Sequence, residues 1–149
     1  MESCRLGFGE ISKKYEEIVK DILKMKTIAV VGLSPKSDRP SYDVAAYMQA
    51  KGYKIVPVRP GVSEILGEKC YAKLEDIPFS VDIVDVFRNA KDCPSVVESA
   101  LKIKPKAIWL QEDIISPESK KMVEGTGILF IMDYCLKKAH QKYIEGTLR

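Results

Sequence analysis

The run Thr27-Ile28-Ala29-Val30-Val31-Gly32 is nearly all apolar, rich in β-branched side chains, and stops at a glycine. A strand with no polar side must be covered on both faces, which places it inside a parallel sheet rather than a half-solvated antiparallel one. Residues 53–58, 81–87, 107–110 and 128–132 read the same way, with a weaker segment at 69–72. Helical patterns alternate with them. Residues 41–51 carry Val44, Ala45 and Met48 on one face, residues 94–103 carry Val97, Ala100 and Leu101, and residues 117–125 open with Ser116 as N-cap and Pro117 at the first helical position. Crossovers of this length return the chain to the same end of a sheet, so the alternation predicts an α/β fold: a doubly wound, mostly parallel sheet with helices on both faces.

A further amphipathic helix opens the chain. Ile11, Tyr15, Ile18, Val19, Ile22 and Leu23 recur at helical spacing, with Lys13, Lys14, Glu17, Lys20 and Asp21 between them. Its apolar stripe covers either the domain's own sheet or a second subunit. The chain has 149 residues, the size of one domain. It divides into an N-terminal amphipathic helix at 1–25, a ligand-binding domain at 26–143 and a C-terminal tail at 144–149.

Charge and cysteine usage remove whole classes of chemistry. Lys and Arg number 24 against 21 Asp and Glu, a net charge of +3 that is too weak for a nucleic-acid partner. No apolar run approaches the roughly 18 residues of a membrane span, so no membrane association is expected. The opening MESCRLGFGEISKKYEEIVK has neither the apolar core of a signal peptide nor the acid-poor character of an organelle leader, which predicts a cytoplasmic location. Cys4, Cys70, Cys93 and Cys135 stand far apart with no C-x-x-C, and His140 is the sole histidine, so no metal site is expected and the cysteines are read as reduced thiols. A nucleophile–histidine arrangement would have to use His140, which lies in the helix-like, basic stretch KKAHQKY, and no catalytic residue is assigned.

In an open parallel sheet, ligands bind beyond the carboxyl ends of the strands, where strand order reverses. After the first strand comes Gly32-Leu33-Ser34-Pro35-Lys36-Ser37-Asp38-Arg39-Pro40-Ser41, leading into a helix. The glycine lets the backbone turn close to a ligand, and the helix start offers unpaired N–H groups and partial positive charge. With Lys36 and Arg39 added, the segment suits a phosphate or diphosphate. Arg59 and Arg88 end the neighbouring strands, so four cations are expected around one crevice. The other reading is that residues 36–39 form a solvated loop and that the arginines are ion-pair partners of Glu64, Asp85 or Asp133.

The loop is not G-x-G-x-x-G, since Ser34 and Ser37 occupy the second and third glycine places. The second strand ends in Val58-Arg59-Pro60 without the acidic residue that holds an NAD ribose, and G-x-x-x-x-G-K-[ST] is missing. An arginine there matches a ligand with a diphosphate and a further ribose phosphate, either coenzyme A or NADP.

The segments GLSPKSDRPSYDVAAYMQAKGYKIVPVRP, ILGEKCYAKLEDIP, VDIVDVFR, AIWLQ and MDYCLKKAH, in this order, closely resemble the small CoA-binding proteins, which are similar to the CoA-binding domain of the succinyl-CoA synthetase α subunit. The resemblance runs from about residue 26 to 143 and implies a Rossmann-like domain that holds coenzyme A without known catalysis. On matching positions it implies that Gly32, Ser34, Pro35, Lys36, Arg39, Pro40 and Ser41 form the diphosphate loop. Val58 and Pro60 would then border the adenosine, Val86, Phe87 and Arg88 would flank the nucleotide, and Trp109 to Gln111 would lie near the pantetheine path. Three departures stand out. Arg59 replaces the usual Asn, Asp113 stands where a glycine is common, and Tyr134 and Ala139 replace the Arg and Glu of the M-D-R-C…E-H ending.

Several residues carry two readings. Trp109, in an apolar strand, is read as core rather than as a ligand platform, and Phe87 either stacks on adenine or packs inside. Cys135 is either an inert thiol or the partner of a CoA thiol in a mixed disulfide. The leading expectation is a cytoplasmic protein that binds CoA or acyl-CoA without its own catalysis. The alternative is an NADP-dependent oxidoreductase whose Arg59 reads the 2′-phosphate, although it lacks the glycine fingerprint and an evident proton donor. A regulatory module using CoA as a sensed ligand is a third class. A CoA ligase would need a second domain bearing a phosphohistidine, for which 149 residues leave no room.

Overall fold

The computed structural model describes residues 10–147, with side chains described from Lys14 onward. Ile11 and Lys13 of the opening stripe, and Cys4, therefore have side chains outside the described residues. Helix α1 (Glu10–Leu23) leads into β1 (Thr27–Val31), α2 (Pro40–Ala50) and β2 (Lys54–Val58). A small antiparallel hairpin, β3 (Glu64–Ile65) and β4 (Glu68–Lys69), precedes β5 (Ile83–Val86) and α3 (Cys93–Ile103). Next come β6 (Ala107–Leu110), α4 (Pro117–Val123), β7 (Leu129–Ile131) and α5 (Leu136–His140), which continues as a π-helical turn over Gln141–Glu145.

The main sheet has the order β2-β1-β5-β6-β7, and every neighbouring pair is parallel. This is the Rossmann-like α/β arrangement expected from the alternating pattern. The first crossover carries the chain to one side of β1 and the second carries it back past β1 to the other side. Strand order thus reverses between β1 and β5, and the crevice of such a sheet opens at that switch point.

Alternate strand residues face two cores. Ile28, Val30, Ile83 and Trp109 pack against α1, α2 and α5, whereas Ala29, Val31, Val84 and Ile108 pack against α3 and α4. The apolar stripe of α1 covers the domain's own sheet, with Val19, Ile22 and Leu23 buried. Expected strand and helix limits shift by a residue or two. The weak segment at 69–72 is not a further strand of the sheet: Lys69 belongs to the hairpin and Tyr71 makes an isolated parallel bridge to Val58. Ile144 and Glu145, in the segment read as a C-terminal tail, belong to the C-terminal helical turn. At α4 the cap is as read, with the Ser119 amide donating to Ser116 Oγ at 3.2 Å.

Candidate functional site: a cationic crevice at the strand switch

Register brings three strand ends level. Val31 pairs with Val58 on one side and Val86 on the other, so Gly32, Arg59 and Phe87 emerge side by side. The Gly32 amide donates to the Val58 carbonyl at 3.0 Å, and the Phe87 amide donates to the Val31 carbonyl at 2.9 Å. Gly32 has φ +85°, a left-handed conformation, and a Cβ on it would lie 2.5 Å from the Phe87 carbonyl oxygen. Only glycine fits, and its bare backbone forms the floor of the crevice.

The loop from Gly32 to α2 is held by its serines. The Ser34 amide donates to Ser41 Oγ at 3.0 Å, the Lys36 amide donates to Ser34 Oγ at 3.1 Å, and Leu33 is fully buried beneath. Pro40 supplies the first residue of α2, whose first backbone bond from outside runs from the Asp43 amide to the Arg39 carbonyl at 3.1 Å. The amides of Ser41 and Tyr42 have no acceptor within the helix.

Two adjoining cavities occupy this end of the sheet. One, of about 550 Å³, is lined by Val31, Gly32, Val58, Arg59, Pro60, Ala72, Phe87 and Arg88. The other, of about 440 Å³, is lined by Gly32, Ser34, Pro35, Lys36, Arg39, Pro40, Ser41, Arg59 and Phe87. Gly32, Arg59 and Phe87 border both. Twelve of the residues expected from the sequence thus meet in one crevice. Val86 is fully buried behind it. Gln111 is also buried, donating from Nε2 to Asp85 Oδ1 at 2.6 Å and accepting the Leu136 amide at 3.4 Å. Ala72 and Val31 were not singled out from the sequence. Ala72 reaches the wall because Tyr71 bridges to Val58, a contact that propensity alone does not register. A larger cavity of about 740 Å³ lies at the other end of the sheet, among Met25, Pro105, Ile128 and Leu129, and holds none of these residues.

The four cations differ in their partners. Arg88 Nη2 lies 3.0 Å from Asp92 Oδ2, and Arg39 Nε lies 3.9 Å from Asp38 Oδ1. Arg59 donates from Nη1 to the Leu33 carbonyl at 3.4 Å. Among the described residues neither Arg59 nor Lys36 has a carboxylate partner, and Glu64, Asp85 and Asp133 pair with no arginine. Asp133 instead accepts the Asp113 amide at 2.8 Å.

Burial raises Asp85 to about 7, offset in part by the hydrogen bond from Gln111. Cys93, behind Arg88, is pushed up to about 11 by burial and by Asp92, so its sulfur stays a thiol near neutrality. His140 is remote from the crevice, with Nδ1 2.9 Å from the Tyr47 hydroxyl, and burial lowers its pKa. What the crevice presents is a set of backbone amides, serine hydroxyls, guanidinium groups and an ammonium between apolar walls. Such a set binds the oxygens of a phosphorylated ligand and encloses a flat apolar ring.

A family model described as a CoA binding domain matches residues 26–141, which include all of these lining residues. This chain belongs to the CoA-binding domain family. It is 42% identical over 123 residues to the uncharacterized protein YneT of Bacillus subtilis (strain 168), covering 82% of this chain and 91% of YneT. It is 30% identical over 126 residues to an ADP-forming acetate–CoA ligase II of Archaeoglobus fulgidus, covering 81% of this chain but only 19% of the ligase. Among solved structures, a hypothetical protein from Pyrococcus horikoshii OT3 superposes with a TM-score of 0.82 at 34% identity, covering 85% of this chain and 90% of that one. A Thermus thermophilus protein superposes with a TM-score of 0.81 at 34% identity, covering 85% and 97%.

As a CoA-binding domain, the chain accommodates its departures locally. Asp113 keeps the left-handed turn, at φ +72°, with its amide held by Asp133. Tyr134 stacks on the fully buried Trp109 at 5.8 Å between ring centroids and accepts the indole N–H on its carbonyl at 2.7 Å, while Ala139 is buried. The ending therefore serves packing here. Trp109 is core, as expected, and Cys135 lines neither cavity of the crevice.

Proposed function

We propose that this protein binds coenzyme A or an acyl-CoA in the crevice between β1, β2 and β5, and that it holds the ligand without converting it. The observation that carries this reading is the convergence of the Gly32–Ser41 loop, the start of α2 and Lys36, Arg39, Arg59 and Arg88 around two joined cavities, within a chain of the CoA-binding domain family. The diphosphate takes the amides at the start of α2, the Ser34 and Ser41 region, and the charges of Lys36 and Arg39. The adenine lies between Val58, Pro60, Ala72 and Phe87.

Among the described residues, the crevice lining holds no histidine, carboxylate, tyrosine or cysteine to move a proton, which favours a holding role over an oxidoreductase. We assign the protein to the cytoplasm, where free thiols such as Cys70, Cys93 and Cys135 persist. In the structure, no helix among the described residues is long and apolar enough to cross a membrane.

Mass spectrometry of the protein purified under native conditions tests this function. The expected result is a co-purifying mass of CoA, an acyl-CoA or a CoA disulfide. A thermal-shift panel complements it, because a ligand that binds only the folded state raises the transition temperature. CoA and acetyl-CoA should raise it and NAD should not. Stabilisation by NADP alone would overturn the reading.

A further inference from the structure

Arg59 differs from the other three cations of the crevice. It borders both cavities, it is half-buried, and among the described residues no carboxylate neutralises it. Its one hydrogen bond, from Nη1 to the Leu33 carbonyl, is long at 3.4 Å and leaves most of the guanidinium's five N–H donors unused. Arg88 borders only the first cavity and is held by Asp92, while Lys36 and Arg39 border only the second.

The position of Arg59 along the ligand follows from the order of the cavities. The diphosphate belongs over the loop and the start of α2, and a flat base belongs between the apolar walls of the neighbouring cavity. The ribose that joins them must pass the boundary, where Gly32, Arg59 and Phe87 lie. A planar fork of donors at that point matches a phosphate monoester on the ribose, which offers the oxygens for a bidentate contact. A bare ribose diol would instead favour an acidic partner, and the end of β2 carries none.

We infer that Arg59 is the specificity-determining residue of the crevice and selects adenine nucleotides that bear a ribose monophosphate in addition to the diphosphate. This rests on the CoA reading for the identity of the ligand but concerns a different group of it. CoA carries the ribose phosphate and dephospho-CoA lacks it, with every other contact unchanged.

Calorimetric titration of CoA and dephospho-CoA into the native protein, Arg59→Asn and Arg59→Lys tests the inference, with NADP and NAD as a second pair. The native protein should prefer CoA over dephospho-CoA by about tenfold to a hundredfold, the range of a charge-assisted hydrogen bond. Arg59→Asn should bring that ratio near one, weakening CoA binding by a larger factor than dephospho-CoA binding, and Arg59→Lys should keep part of the preference. Circular dichroism confirms that the variants fold. Equal binding of the two ligands by the native protein, or a preference that survives in Arg59→Asn, overturns the role of Arg59 and leaves CoA binding standing. An Arg59-dependent preference for NADP over NAD without CoA binding supports the role and overturns the CoA reading. Binding of none of the four overturns both.

Discussion

Gly32 and Phe87 stand so close across the ends of β1 and β5 that a methyl group on the glycine would lie 2.5 Å from the phenylalanine carbonyl oxygen. The obstacle is backbone, held by the bond from the Phe87 amide to the Val31 carbonyl, and cannot rotate away as a side chain could.

Gly32→Ala should therefore lose both stability and binding. The left-handed conformation and the overlap together should cost about 2–4 kcal/mol. Urea denaturation checks the first effect and CoA titration the second. A variant that unfolds at the native midpoint would contradict the close approach.

Arg39 should matter for binding and not for folding. Its side chain is 58% exposed, and its nearest carboxylate, on Asp38, lies 3.9 Å away, so the exposed pair adds little stability. Arg39→Glu should weaken CoA binding by about tenfold or more, since it replaces a charge-assisted contact with repulsion. Its melting temperature should match that of the native protein within a degree or two.

Asp85 predicts an unusual pH dependence. Its acid form is favoured in the fold, with a pKa of about 7 against 3.8 in the unfolded chain, so the folded protein binds more protons across that interval. Stability from this group is complete below the unfolded value and is lost as pH rises through about 7. Asp85→Asn keeps an acceptor for Gln111 and removes the ionisation. It should flatten the fall in stability between acid and neutral pH and raise stability at pH 8, by up to about 4 kcal/mol. Guanidine denaturation at a series of pH values reads this out, and an Asp85→Asn curve parallel to the native one would contradict it.

Much of the fold was legible because its strands carry no polar face. Four of the five sheet strands have only buried or half-buried residues, and β2 differs only at Lys54. The place of the Gly32–Ser41 loop in the crevice was legible for a similar reason: a glycine at a strand end before a proline-opened helix puts the loop at the switch point of the sheet. What the residues alone could not show was pairing at a distance. Asp85 reads as a possible partner for an arginine, yet strand alternation turns it toward the first core, where Gln111 hydrogen-bonds it. Arg88 reads as a crevice cation or as a partner of Glu64, Asp85 or Asp133, and the turn Asn89–Asp92 instead folds Asp92 onto it. Ala72 becomes part of the crevice wall only through the bridge from Tyr71 to β2.

His140 offers a clean titration because it is the only histidine. Burial beside Tyr47 and Tyr53 disfavours its charged form and lowers its pKa below the usual 6.5. The unfolded chain then binds the extra proton first, so this group's contribution to stability is lost as pH falls from 6.5 through the lower folded value. Proton NMR of the imidazole should show a midpoint below 6.5. A midpoint above it would contradict the burial of the ring against the two tyrosines.

The most direct measurement of where and whether the ligand binds is a CoA titration of the isotope-labelled protein followed by amide NMR. Saturable shifts should cluster at Gly32, Ser34, Lys36, Ser41, Arg59 and Phe87, with residues around Ile128 at the far end of the sheet unmoved. No shift at about 1 mM CoA, or shifts centred on the Met25–Ile128 cavity, would contradict the account.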